Sequence, residues 1–287
     1  MNKYIRSLRL RTLPLSMSGI VLGSGMAYEM VAKGLHFWVV FIFAILTTLS
    51  LQILSNLCNE LGDAQHGTDT DQHSRVAYGL QSGALTEKQM KKMIGVAVGA
   101  SIIFGTILVW LSFGSLLSIE SAVFLLLGLL AIIGAIKYTL GRHNYGYVGL
   151  GDLAVFLFFG LLSTMGSFYL QTQTLTMQVG MAATAIALPI VGVLNLNNIR
   201  DMDNDIKHSK RTFAALLGQT GAKVYHTLLL TGCFVIFVLL KRYYTLIVLP
   251  VIVWHLWFIF THENDKLDKQ MPVLMFTTII IAFLACL

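Results

Sequence analysis

The sequence predicts an all-α integral membrane protein with nine transmembrane helices and a cytoplasmic N-terminus. Only 12% of the residues are charged, against about 25% in soluble domains, and the mean hydropathy is +0.73. Apolar runs of the length that crosses a bilayer core recur nine times. The chain has only 4 prolines and no Ser/Pro/Gly-rich linker, so we expect one domain over residues 1–287.

The nine apolar runs give the expected helices in chain order. A basic segment precedes the first run, as in a signal peptide, but no small-residue cleavage site and polar mature domain follow it. We therefore interpret that run as the first membrane helix. The predicted spans are residues 12–32, 36–58, 93–112, 116–137, 149–170, 178–199, 222–240, 244–261 and 271–287.

The distribution of basic residues predicts the orientation of these spans. Of the 20 Lys and Arg residues, all except Lys33, Lys241 and Arg242 fall on the N-terminal side of the predicted membrane. Cytoplasmic loops carry an excess of Lys and Arg, so we expect a multi-pass protein of the inner (plasma) membrane whose long loops face the cytoplasm. This layout also accounts for the pI of 9.2 without a nucleic-acid partner.

The first polar cluster follows the second apolar run. Asn59 and Asp63 share one helical face if the preceding helix continues through them. Gly67 is expected to let the chain bend. The bend would carry Asp69 and Asp71 back toward the same place.

The second polar cluster follows the sixth apolar run. Asn197, Asp201 and Asp205 are spaced by four on one helical face, with Asn198 beside them. Carboxylates this close repel one another unless a cation lies between them. Mg²⁺ takes oxygen ligands and is usually shared between one or two carboxylates and substrate phosphates.

Basic residues in the loops next to the acidic clusters indicate which kind of ligand these clusters bind. Carboxylates alone would suit Ca²⁺ or a solvated loop, whereas carboxylates with a metal and Lys or Arg form a diphosphate site. A transporter would place ionisable residues near the middle of its spans. Here the acids lie at helix ends, and a structural scaffold does not account for two such clusters.

Five stretches carry a resemblance to a known family. They are residues 9–14 (RLRTLP), 59–69 (NxxxDxxxGxD), 145–152 (YGYVGLGD), 194–205 (LNLNNIRDMDND) and 210–218 (KRT, then LG). Over about residues 5 to 240 the chain resembles the UbiA superfamily of membrane prenyltransferases. Within it, the stretches are most similar to the branch that prenylates 1,4-dihydroxy-2-naphthoate in menaquinone biosynthesis.

The first motif departs from the wider superfamily pattern NDxxDxxxD. Glu60 stands at the second position, Gly67 stands at the last Asp position, and Asp69 comes two residues later. This arrangement is similar to the naphthoate branch and argues against the 4-hydroxybenzoate and haem-farnesylating members. Either Asp69 or Asp71 is then the metal contact.

The resemblance implies a Mg²⁺-dependent enzyme with Asp63, Asp69, Asp201 and Asp205 as the catalytic, metal-binding residues. It implies transfer of a polyprenyl group from polyprenyl diphosphate to the naphthoate, with loss of CO₂ and diphosphate, giving demethylmenaquinone. The alternative is another aromatic acceptor. Because the isoprenoid tail is apolar, membrane lipid is an expected partner, and the active site is expected to face the cytoplasm.

The expected substrate contacts combine basic, amide and aromatic side chains. Basic residues would bind the diphosphate, and Arg142 would hold the acceptor carboxylate. The tyrosines would stack on the acceptor ring, although Tyr is also a common interface anchor. The expected substrate-binding residues are Asn59, Arg75, Lys137, Tyr138, Arg142, Tyr145, Asn198, Arg200 and Lys210.

Overall fold

The computed structural model describes residues 3–67, 79–80, 82–141 and 144–287. Every regular element in these ranges is helical, which confirms the predicted all-α class. Each predicted span corresponds to one of nine helices in the described ranges. They are α1 Leu13–Tyr28, α2 Leu35–His66, α3 Glu87–Phe113, α4 Ile119–Lys137, α5 Gly151–Thr172, α6 Met177–Lys207, α7 Phe213–Leu239, α8 Tyr243–Thr261 and α9 Asn264–Leu284.

The first helix, α1, is shorter than most of the other helices. Within the described ranges, α2 to α9 are the eight helices long and apolar enough to cross a membrane. Helix α1 has 16 residues, which at about 1.5 Å per residue is shorter than a bilayer core. Most of α1 is buried, and it packs against α5 and α9. Packing within the bundle therefore stabilises α1 despite its length.

Helix α6 lies at the centre of the bundle and α4 at its edge. In the apolar stretch of α6 that is long enough to cross a membrane, 72% is buried, and the helix contacts α1, α5, α7 and α9. In the corresponding stretch of α4 only 11% is buried, and α4 exposes Leu126, Leu129 and Ile133. Apolar residues all around α4 are typical of a helix that faces lipid. The second acidic cluster is thus carried by the most tightly packed helix.

A π-helical segment, Phe156–Leu162, interrupts α5 where it crosses α6. Gly160 lies in this segment, and a Cβ atom there would fall 2.1 Å from the Cβ of Ala187. The absence of a side chain at Gly160 allows the two helices to touch. Several residues of the same segment line an apolar cavity within the bundle, including Phe158 and Phe159.

We expect Gly160→Ala to destabilise the protein, because the added methyl group must push α5 away from α6. Overpacking of this kind costs about 1–3 kcal/mol. Gly180→Ala is the matched control, since a Cβ at Gly180 meets nothing within 4 Å and Ala is the better helix former. The measurement is the unfolding temperature of each purified variant in detergent. Equal unfolding temperatures for the two variants would contradict this expectation.

The acid-bearing helices extend beyond the predicted spans. Helix α2 continues past residue 58, so Asn59 and Asp63 lie on its last turns, and it ends at Gly67 with φ 72°. Gly67 has the left-handed φ that favours glycine, and the expected return of Asp69 and Asp71 toward the site stays a prediction. Helix α6 likewise contains Asn197, Asp201 and Asp205. The described acids of both clusters therefore lie at the C-terminal ends of helices, as their spacing by four from Asn59 and Asn197 predicts.

Candidate functional site

Lys210 connects the two acidic clusters. Its Nζ lies 3.3 Å from Asp205 Oδ1 and 5.5 Å from the ring centroid of Tyr147. The hydroxyl of Tyr147 donates a hydrogen bond of 3.1 Å to Asp63 Oδ1. The ends of α2 and α6 thus meet around one lysine, although the two helices come from distant parts of the sequence.

The charge of Lys210 is fixed by its surroundings. Burial alone would lower its pKa, but the carboxylates of Asp63 and Asp205 outweigh burial and raise the pKa above its ordinary value. The lysine therefore stays protonated at any physiological pH. Both carboxylates lie at helix C-termini, where the helix dipole disfavours negative charge. The electrostatic demand for further cations at this site is correspondingly strong.

Arg200 holds the carboxylate of Asp201 in a two-point contact. Its Nε and Nη2 lie 2.8 Å from the two carboxylate oxygens of Asp201, and Nη2 also donates to Asn197 Oδ1 at 2.8 Å. The other nitrogen, Nη1, donates to Asp268 Oδ1 and approaches the sulfur of Met271 at 3.4 Å. A guanidinium has five N–H donors, and each has an acceptor here. This geometry favours a role for Arg200 in orienting Asp201.

Glu60, the residue that departs from the superfamily motif, is buried and fastens the surrounding segments to α2. Its Oε1 accepts hydrogen bonds from the Leu80 amide at 2.6 Å and from the Ser7 hydroxyl at 3.4 Å. It joins the N-terminal helix Lys3–Ser7 and the segment before α3 to the first cluster. The contacts of Glu60 are therefore structural.

A mostly apolar cavity of about 590 Å³ begins beside the clusters and extends into the bundle. Asn59 and Asn197 line its polar end, and Phe124 and Leu170 line it farther along. Ala44 also lines it, and at about 1.5 Å per residue along α2, Ala44 and Asn59 are about 22 Å apart. The cavity can accept a long apolar chain whose polar head stays at the acidic end.

Comparison with known proteins agrees with this architecture. The model of the UbiA prenyltransferase family matches residues 19–280. The chain belongs to this family. It is 40% identical over 232 residues to 1,4-dihydroxy-2-naphthoate octaprenyltransferase of Escherichia coli, covering 81% of this chain and 74% of the relative. The protein of the same name from Haemophilus influenzae is 36% identical over 274 residues, covering 93% and 87%.

Solved structures of UbiA homologues share the fold. The apo structure of a UbiA homologue from Aeropyrum pernix K1 aligns with a TM-score of 0.65 and 16% identity, over 99% of both chains. A UbiA homologue from Archaeoglobus fulgidus, bound to DMAPP and Mg²⁺, aligns with a TM-score of 0.63 and 15% identity, over 98% of this chain and 86% of that one. At these identities the likeness establishes the fold of this UbiA prenyltransferase.

Thr139 positions the first motif of this UbiA protein. Its hydroxyl donates to the Cys58 carbonyl at 2.9 Å and lies 3.3 Å from Asn59 Oδ1. Gly62 makes the close approach possible, because a Cβ there would fall 2.6 Å from the Cβ of Thr139. Sequence reasoning missed Thr139, and the only signal was its position just after a predicted span.

Tyr138 and Tyr145 form one aromatic corner of the cavity. Their rings pack edge to face with centroids 5.4 Å apart, and both line the cavity. The Tyr145 hydroxyl donates to the Gly134 carbonyl at 2.8 Å. Burial raises the pKa of Tyr145 to about 12 and also raises that of Tyr138. Both phenols are therefore neutral at physiological pH, and their placement fits the predicted ring contact.

Two further predicted site residues lie near the ends of helices. Asn198 belongs to the second cluster and is buried on α6, and Lys137 is exposed at the end of α4. Their roles stay predictions. Four of the residues considered in the sequence lie outside the described residues: Asp69, Asp71, Arg75 and Arg142.

The donor set of the described site fits Mg²⁺. The carboxylate oxygens of Asp63, Asp201 and Asp205 and the amide oxygens of Asn59 and Asn198 are hard donors of the kind that Mg²⁺ prefers. In the described ranges, no three His, Cys, Asp or Glu side chains converge closely enough to hold an ion by themselves. In proteins, Mg²⁺ is usually shared between one or two carboxylates and substrate phosphate oxygens.

Proposed function

We propose that this chain transfers a polyprenyl group from polyprenyl diphosphate to 1,4-dihydroxy-2-naphthoate, releasing diphosphate and CO₂. The product is demethylmenaquinone, formed as its hydroquinone. One observation carries the proposal: Lys210 links Asp63 and Asp205 beside a long apolar cavity. The names of the relatives from Escherichia coli and Haemophilus influenzae support the naphthoate as acceptor.

Each part of the site has a place in this reaction. Lys210 binds the departing diphosphate, and its fixed positive charge stabilises the charge that develops there. Asp63, Asp201, Asp205 and either Asp69 or Asp71 would hold Mg²⁺, which would supply further neutralisation of the diphosphate charge. The solved UbiA homologue bound to DMAPP and Mg²⁺ supports Mg²⁺ as the cation.

The cavity separates the two substrates by polarity. The isoprenoid chain lies along the apolar part of the cavity, where it contacts residues of the π-helical segment of α5. The tyrosine corner holds the acceptor ring near the reacting carbon atom. Electrons of the ring form the new carbon–carbon bond, and the carboxylate leaves as CO₂. Departure of the diphosphate would leave an allylic cation on the isoprenoid chain, and an apolar lining would protect this cation from hydrolysis by keeping water away.

We further propose that residues 1–287 form one transmembrane domain in the inner (plasma) membrane. The eight long apolar helices and the UbiA family support a membrane location. The bias of Lys and Arg toward the loops of one side supports an active site that faces the cytoplasm. Membrane lipid supplies the polyprenyl donor, and the composition gives no reason to expect nucleic acid.

The deciding experiment is an acceptor assay. Membranes containing the chain receive a labelled polyprenyl diphosphate and either the naphthoate or 4-hydroxybenzoate, and products are identified by mass. We expect a demethylmenaquinol mass with the naphthoate and no transfer to 4-hydroxybenzoate. Transfer only to another ring would assign the chain to a sister activity within the family.

Lys210→Met should lower prenyl transfer by about 10²- to 10³-fold, the usual effect of removing one preorganised charge donor. The variant keeps a long apolar stem, so the contact with the Tyr147 ring persists. Lys266→Met is the matched control, because Lys266 is exposed and pairs with Glu263 at 3.4 Å on the same side of the bundle. The rate of labelled product formation measures both. Equal rates in the two variants would remove Lys210 from the mechanism.

A further inference from the structure

Four charged side chains form a continuous network behind the second acidic cluster. Arg200 contacts both oxygens of Asp201, and its Nη1 contacts Asp268 Oδ1. The other oxygen of Asp268 lies 3.5 Å from Nη1 of Arg11. The side chains of Arg200 and Asp201 are each only 6% exposed. The order Arg11–Asp268–Arg200–Asp201 alternates charge from the rim to the buried carboxylate.

Asp268 lies outside every motif of the sequence, at a junction of three segments. It belongs to the 3₁₀ turn Asn264–Lys269 that begins α9, and Arg11 belongs to the turn Leu10–Thr12 before α1. Through Asp268, the beginnings of α1 and α9 are tied to α6. A loop near the C-terminus therefore reaches the second acidic cluster.

We propose that Asp268 is a positioning residue, which holds Arg200 and through it sets the orientation and the charge of the Asp201 carboxylate. The inference rests on the proposed function, in which Asp201 binds the cation. A planar guanidinium that meets a carboxylate with two parallel hydrogen bonds fixes the plane of that carboxylate. Asp268 fixes the other end of the guanidinium, so neither group can rotate independently.

Charge sharing gives Asp268 a second effect. If Arg200 contacted Asp201 and no other carboxylate of this network, its positive charge would neutralise the charge of Asp201. With Asp268 on its other side, the charge of Arg200 is divided between two carboxylates, and Asp201 keeps more of its own negative charge. An electron-rich Asp201 is the better ligand for a cation, as is typical when a residue behind a metal ligand tunes it.

The test measures cation binding directly. Mn²⁺ serves as a paramagnetic probe of the Mg²⁺ site. The full chain in detergent is titrated with Mn²⁺ in the presence of a non-hydrolysable prenyl thiolodiphosphate. We expect Asp268→Asn to raise the Mn²⁺ dissociation constant about 10-fold or more, the usual cost of losing such a partner. Asp268→Glu keeps the charge and should recover most of the affinity.

Two further variants make the result specific. Glu263→Gln removes a carboxylate that pairs with Lys266 beside the same turn, and it should bind Mn²⁺ as the unaltered chain does. Arg200→Lys keeps the charge but loses the two-point contact, and it should weaken Mn²⁺ binding on its own. Combined with Asp268→Asn it should add little, since the two residues act as one unit.

The possible outcomes separate this inference from the proposed function. Unchanged Mn²⁺ affinity in a folded Asp268→Asn variant would overturn the role of Asp268. If that variant does not elute as a single species in gel filtration, unchanged affinity in Arg200→Lys overturns it instead. Failure of the unaltered chain to bind Mn²⁺ would overturn the proposed function, and the inference with it.

Discussion

Asp63→Ala is expected to abolish prenyl transfer while the protein remains folded in detergent. Asp63 lies on the last turns of α2, accepts a hydrogen bond from Tyr147 and contributes to the raised pKa of Lys210. Its loss removes a proposed ligand of the cation. A loss of about 4 kcal/mol of transition-state stabilisation corresponds to about a 10³-fold slower reaction. The measurement is the rate of labelled product formation at saturating Mg²⁺.

A matched acid on the same side of the bundle controls for a general loss of negative charge. Glu87 lies in the first turn of α3, is more than half exposed and pairs with Lys91 at 3.1 Å. Glu87→Gln should retain nearly full activity, since an exposed ion pair contributes little to stability. Wild-type turnover by Asp63→Ala would exclude Asp63 from the mechanism.

Removal of Mg²⁺ is expected to stop the reaction completely and reversibly. Lys210 can contact a diphosphate, but its single positive charge cannot neutralise both the diphosphate and the carboxylates of the site. EDTA in excess should therefore reduce product formation to background, and added Mg²⁺ should restore it. Ca²⁺ is the informative comparison, because it takes more ligands at longer distances and should restore less.

The fold must survive this treatment for the result to be meaningful. The unfolding temperature of the protein without substrates should change little with EDTA, because no group of three metal-binding side chains converges in the described ranges. Undiminished turnover in excess EDTA would contradict a cation-bridged diphosphate. In that case the basic side chains would bind the diphosphate without a metal ion.

The membrane architecture could be predicted from the sequence because it depends on local composition. Nine apolar runs of the required length predict nine helices, and residues spaced by four predict a shared face on α2 and α6. The end of α2 at Gly67 was also predictable, since its left-handed φ of 72° suits glycine. Each of these inferences needs only the residues near it in the chain.

Contacts between distant segments could not be predicted in the same way. The sequence predicts that Arg200 binds substrate, yet in the structure its five donors face Asp201, Asn197, Asp268 and Met271. Asp268 is one of several acids in a charged connector, and no spacing distinguishes it. Which partner an arginine selects depends on how α6 and α9 pack. That information is absent from either segment alone.

The π-helical segment of α5 has a consequence for the length of this helix. A segment with wider turns places one extra residue in the helix without lengthening its path. Deleting one residue between Phe156 and Leu162 should therefore restore ordinary winding and leave the helix on either side nearly in register. Deleting one residue elsewhere in α5 would instead rotate everything before it by about 100° relative to the rest. The Tyr145–Tyr147 turn would then face a different direction, and the tyrosine that donates to Asp63 would lose its partner. A one-residue deletion in α5 should therefore be tolerated far better inside the π-helical segment than outside it.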